Sequence, residues 1–176
     1  MEFFSGFGFK NEKALFKEYL EPGSFVVAGF SYGAQQALER TLEKVAQGER
    51  VEKLQLISPA YFNELPKAIK LKEIQNFAKN PQLYMRFFYK KAAYPYKGNL
   101  KLFQREPELG ELKALLFYNW QKEKLQRVVG AGVVIEVFLG SMDKIIDPLK
   151  TQEFFKDFGT TYLIKDVGHI LRSDDG

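Results

Sequence analysis

The chain has 176 residues, 45% of them hydrophobic, enough for one domain with its own core and too few to expect two. With no cysteine and one histidine it excludes disulfides, a thiolate nucleophile and any Cys-ligated or multi-His metal site. The net charge of +4 is unevenly spread: between residues 60 and 105 ten Lys and Arg face two Glu, so this segment carries +8 and the remainder −4, a pattern that suits an acidic partner.

The opening stretch MEFFSGFGFKNEK lacks the basic start and apolar run of a secretory signal. No apolar run approaches the roughly 20 residues that span a bilayer, so a cytoplasmic protein without membrane insertion is expected. The stretch EFFSG near residues 2 to 5 predicts a first strand that runs into the glycine-rich turn SGFG. NEKALFKEYL (11 to 20) has a helical pattern. A second strand, FVVAG at 25 to 29, stops at Gly29-Phe30-Ser31-Tyr32-Gly33, and a helix over 34 to 47 begins at once, with Gly48 as its stop.

That strand, turn and helix around Gly-x-Ser-x-Gly is the arrangement a nucleophile elbow needs. Small residues let strand and helix backbones approach, and the turn thrusts the serine outward. Ser31 is therefore the candidate nucleophile. A hydroxyl is a poor nucleophile at neutral pH and needs a base, itself oriented by a carboxylate.

KLQLIS (53 to 58) predicts a third strand, after which the strand and helix alternation breaks until about residue 130. Three helix-like stretches, from 63, 81 and 107, read as an inserted helical cap over about 60 to 130. It holds nearly all the excess positive charge, with Arg86, Lys90 and Lys91 as candidate contacts to an acidic partner. It is also rich in aromatics, among them Tyr84, Phe87, Phe88, Tyr89, Tyr118 and Trp120, which suit either an apolar channel or plain core packing.

VVIEVFLG (133 to 140) predicts a fourth strand, with Asp143 on the loop that leaves it. Asp143 is the favoured orienting acid. Asp147, directly before Pro148, fits better as the N-cap of a helix over 148 to 159, and Asp166 stands too close to the histidine in sequence to reach around its ring. TTYLIKD (160 to 166) predicts the last strand, followed by His169, the sole candidate base. For a developing oxyanion the candidate donors are the backbone N–H of Tyr32, the residue after the serine, and that of Phe7 in the glycine-rich turn. The strands alternating with helices predict an α/β fold with a mostly parallel sheet of about five strands, whose strand carboxyl ends gather the site.

In chain order these residues resemble the α/β-hydrolase family: oxyanion loop, Gly-x-Ser-x-Gly, acid after a late strand, terminal histidine. SGFG stands where the family usually has His-Gly-x-Gly. The resemblance implies a single, reduced α/β-hydrolase domain over 1–176, without the leading strands, one intermediate strand and the closing helix. Among such hydrolases, MEFFSGFGFKNE, AGFSYGAQQALE, LISPAYF and GHIL look most like the BioV type of pimeloyl-acyl carrier protein methyl ester esterase. That likeness implies a cofactor-free serine carboxylesterase of biotin synthesis, with an acyl carrier protein bearing a pimeloyl methyl ester as its partner. A general short-chain esterase or thioesterase is the alternative. A noncatalytic binder of nucleic acid or an anionic membrane is disfavoured by the complete Ser, Asp and His set.

Overall fold

The computed structural model describes residues 1–175. Five parallel strands, β1 (Glu2–Phe4), β2 (Val26–Phe30), β3 (Lys53–Ile57), β4 (Val134–Gly140) and β5 (Thr160–Ile164), pair in sequence order β1-β2-β3-β4-β5. Registers such as Phe4↔Gly29, Phe30↔Ile57, Ile57↔Phe138 and Gly140↔Ile164 bring all the carboxyl ends to one edge of the sheet. All five strands lie where the sequence pattern predicts them.

Period-2 alternation builds two cores from the same strands. Val27, Leu54, Leu56, Ile135, Val137 and Leu139 point to one face, where they meet Leu38 of α1 (Tyr32–Ala46), Leu125 and Val128 of α5 (Lys122–Gly130) and Phe155 of α6 (Pro148–Phe155). Phe30, Ile57 and Phe138 point to the other, beneath Leu15, Phe16, Ile170 and Leu171. In α1 the buried Ala34, Ala37, Leu38, Thr41 and Leu42 fall at helical spacing, and Gly48 follows its end with φ +73°.

The helix expected over 11 to 20 is only a 3-10 turn, Glu12–Phe16. Asn11 takes a left-handed φ of 57° and Glu12 turns inward, fully buried, to accept the Gly6 N–H at 2.7 Å. The residues that would have opened an α-helix are thus committed to the preceding loop.

Between β3 and β4 the chain makes an excursion through α2 (Lys67–Lys79), α3 (Pro81–Ala93), α4 (Leu109–Phe117) and then α5. Asn80 caps α3 through the Leu83 N–H, and Glu108 with Glu111 forms a capping box on α4. The third predicted helical stretch is split: Tyr118 and Trp120 interrupt it, and α5 packs on the sheet with α1, while α2, α3 and α4 form a layer above the strand ends. That layer has its own core of Phe77, Met85, Leu112, Leu115 and Leu116, into which Phe7 reaches up from the β1 loop.

Candidate active site

At the end of β2, Ser31 adopts φ 55°, ψ −113°, a conformation that costs an L-residue energy and turns its side chain out of the strand-to-helix corner. The corner is fastened by the Ser31 N–H donating to Ile57 O (2.9 Å) and by Ser31 O accepting from Ala34 and Ala60 N–H (3.1 Å each). The flanking glycines are sterically required. A Cβ at Gly29 would lie 2.1 Å from Gly33 O, and one at Gly33 would lie 2.0 Å from Phe4 O, because α1, β2 and the β1 loop are in backbone contact there.

His169, fully buried, is delivered by the turn after β5. Ser58 Oγ donates to its carbonyl at 2.7 Å, and its ring lies 5.1 Å from that of Phe30. Its Nε2 is 2.9 Å from Ser31 Oγ, and its Nδ1 is 2.6 Å from Asp143 Oδ2. Asp143 Oδ1 accepts from the N–H groups of Ile145 (2.7 Å) and Ile146 (3.0 Å). A carboxylate only accepts, so the proton between it and the ring resides on Nδ1, and Nε2 is left to accept from the serine.

Neither of the two other acids is bonded to the His169 ring. Asp147 Oδ1 caps α6 through the Leu149 and Lys150 N–H groups, and Asp166 is exposed, at a left-handed φ of 61°. No acceptor among the described residues takes up the backbone N–H of Phe7 or of Tyr32. Phe7 is buried at the lining of the cavity that also includes Ser31.

A cavity of about 740 Å³ opens over Ser31. Phe7, Phe62, Leu65, Phe88, Leu112 and Leu116 form much of its apolar wall; Lys79, Lys91 and Lys144 are its cations. Its one acid among the described lining residues, Glu73, accepts from Tyr84 Oη at 2.6 Å, and burial and that bond raise the Tyr84 pKa. Of the basic candidates, Lys91 lines the cavity, Lys90 lines a separate depression beside Tyr94 and Asp166, and Arg86 is exposed and lines neither. Of the aromatics, Tyr84, Phe87 and Phe88 line the cavity, whereas Trp120 is buried against the sheet. Sequence reasoning missed Lys144, which directly follows Asp143, and Glu12 and Ser58, which hold the backbone around the site. Four of the ten residues from 11 to 20 are charged, so the pattern does not single out Glu12. No His, Cys, Asp and Glu cluster among the described residues is arranged to hold a metal ion, and no helix is long and apolar enough to cross a membrane.

No family model and no curated protein sequence matches the chain. Solved structures do. MenH from S. aureus superposes with a TM-score of 0.57 at 13% identity, over 95% of this chain and 85% of that one. BioG from Haemophilus influenzae gives 0.56 at 14%, over 96% and 87%. Naproxen esterase (carboxylesterase NP) from Bacillus subtilis gives 0.52 at 19%, over 83% of this chain but 53% of that one, so the chain spans about half that esterase's length. At such identities the likeness speaks for architecture, and it agrees with the sheet and elbow described above: the chain has a reduced α/β-hydrolase fold.

Proposed function

We propose that the chain is a serine carboxylesterase with Ser31 as nucleophile, His169 as general base and acid, and Asp143 as the orienting carboxylate. The observation that carries this reading is the continuous path Ser31 Oγ, His169 Nε2, His169 Nδ1, Asp143 Oδ2, at 2.9 Å and 2.6 Å, on a strained elbow beside two unpaired N–H groups. His169 Nε2 takes the Ser31 proton as Oγ attacks the ester carbonyl. The N–H groups of Phe7 and Tyr32 receive the negative oxygen, and His169 returns the proton to the departing alkoxide to release an alcohol. Water then repeats the sequence on the acyl-enzyme and frees the acid and the serine.

The substrate we assign is the methyl ester of pimeloyl-acyl carrier protein, hydrolysed to the free carboxylate and methanol in biotin synthesis. Support comes from the sequence resemblance, from an apolar cavity within the usual range of ligand pockets, and from the cations Lys79, Lys91 and Lys144 on its lining, which suit the acidic surface and phosphate of a loaded carrier. The test is mass spectrometry of pimeloyl-acyl carrier protein methyl ester incubated with wild-type and Ser31→Ala protein. Loss of the methyl group with the thioester intact, for wild type only, is the expected result. Cleavage of the thioester makes the protein a thioesterase. Turnover of small esters alone leaves a general esterase, and equal activity of both proteins removes Ser31 from the mechanism.

A further inference from the structure

The Phe7 N–H is directed by a neighbouring bond. It belongs to the same planar peptide as Gly6 C=O, and the two groups point in opposite directions. Gly6 O accepts from the Phe9 N–H at 3.0 Å, so wherever Phe9 is held, the Phe7 N–H is aimed. The core side of this turn is anchored by the Gly6 N–H donating to Glu12 Oε1 at 2.7 Å.

The other anchors come from the excursion between β3 and β4. Tyr89 Oη on α3 lies 2.7 Å from both Gly8 O and Arg105 O, so its one proton joins the turn to the backbone of Arg105, whose own N–H donates to Gly8 O at 2.9 Å. Arg105 Nε donates to Phe9 O at 3.0 Å, and its guanidinium continues to Glu111 of α4, with Nη1 to Oε2 at 3.0 Å. Glu111 also accepts the Glu108 N–H at 2.8 Å, so the chain of bonds ends on the start of a helix. Gly8 itself is at φ +74°, and a Cβ there would meet Met85 and Tyr89, which shows how closely α3 sits on the turn.

We propose that Tyr89 and Arg105 are positioning residues for the oxyanion donor: together they hold Gly8 and Phe9 so that the Gly6–Phe7 peptide keeps its N–H facing the site. The donor is then a joint product of sheet loop and cap, complete only when the cap is seated. This inference rests on the esterase reading. It goes beyond it by naming residues that touch no substrate and act through the backbone.

The decisive variant is Tyr89→Phe, which keeps the ring contacts to Phe9 and Phe88 and deletes only the hydroxyl. With p-nitrophenyl butyrate as probe, kcat should fall about tenfold at unchanged KM, since a mis-aimed donor weakens the transition state and spares ground-state binding. Inhibition by an alkyl trifluoromethyl ketone, whose adduct on Ser31 carries the oxyanion, should weaken by the same factor. Arg105→Ala should lose on the order of 100-fold in both, with partial recovery in Arg105→Lys, which keeps a donor but not the fork that spans Phe9 O and Glu111. The proposal is overturned if Tyr89→Phe stays within twofold of wild type in kcat and ketone inhibition, or if kcat falls while ketone inhibition does not. Should Arg105→Ala prove unstable, Tyr89→Phe decides alone. Wild-type protein inactive on every ester overturns the esterase reading and this inference with it, a failure distinguishable by the wild-type control.

Discussion

Asp143 divides its two oxygens between different tasks, one holding the imidazole and one accepting two backbone N–H groups of its own loop. Asp143→Asn should keep the loop bonds while presenting an amide N–H to Nδ1, which forces the proton to Nε2 and removes the acceptor Ser31 needs. The expected outcome is a loss of about 10³- to 10⁴-fold in kcat with little change in melting temperature, read by steady-state kinetics and calorimetry. Ser58 acts on stability. Ser58→Ala strips the buried His169 carbonyl of its donor and should cost about 1–3 kcal/mol in urea unfolding. Glu12 adds a pH dependence. Burial raises its pKa, against the lowering effects of the Gly6 N–H and, more weakly, Arg105. A carboxyl whose folded pKa is raised stabilises the fold fully below the ordinary carboxylate range and loses that contribution as pH rises through the raised value. Glu12→Gln, uncharged throughout, should therefore gain on wild type as pH increases, measured by denaturant unfolding across the acid and neutral range.

At the scale of elements, the elbow was legible because everything it needs is local: a β-branched run, two glycines four residues apart around the serine, and a helix with small residues on its inner face. Gly33→Ala tests that reading. Its methyl group would fall onto the Phe4 and Ser5 carbonyls, so α1 and the β1 loop must part, with a destabilisation of about 1–3 kcal/mol and reduced turnover. The turn at Glu12–Phe16 was read as a longer helix because its apolar spacing is helical, and nothing in the spacing reveals that Glu12 is drawn inward by Gly6. The break between α4 and α5 was hidden for a similar reason. Tyr118 Oη binds Glu39 and the Trp120 indole binds Ala60 O, partners distant in sequence that pull the strand-like residues 118 to 120 down onto the sheet side.

Over the whole molecule, chain order carried the site. Ser31, Asp143 and His169 follow the carboxyl ends of β2, β4 and β5, and parallel pairing alone brings those ends together. The seating of the cap did not follow from the sequence, since bonds such as Arg105 Nε to Phe9 O join residues whose spacing has no pattern. The charge surplus was visible as a segment total, but which of its lysines reach the cavity depended on how α2 and α3 face it. If a carrier docks at the mouth, Lys79→Glu with Lys91→Glu should raise KM for the carrier-borne ester roughly tenfold or more at low salt and leave a small neutral ester unaffected. Reversal of Arg86 and Lys90, which point elsewhere, should do less.

The excursion leaves and returns at one place. Asn63 and Trp120 clasp each other through two bonds, Asn63 Nδ2 to Trp120 O (2.8 Å) and Trp120 N–H to Asn63 Oδ1 (2.9 Å), while Ala60 O receives both the Gln35 amide (2.8 Å) and the Trp120 indole (2.9 Å). The sheet therefore meets residues 64 to 119 across a closed hasp, while further along the segment Ala92 and Leu100 pack with Phe30, Ile57 and Phe138 of the strands. A replacement segment must therefore fill the space over Phe30, Ile57 and Phe138 and bring its own fastener for the carbonyls of Gly8 and Phe9, or it will alter stability and chemistry along with the substrate.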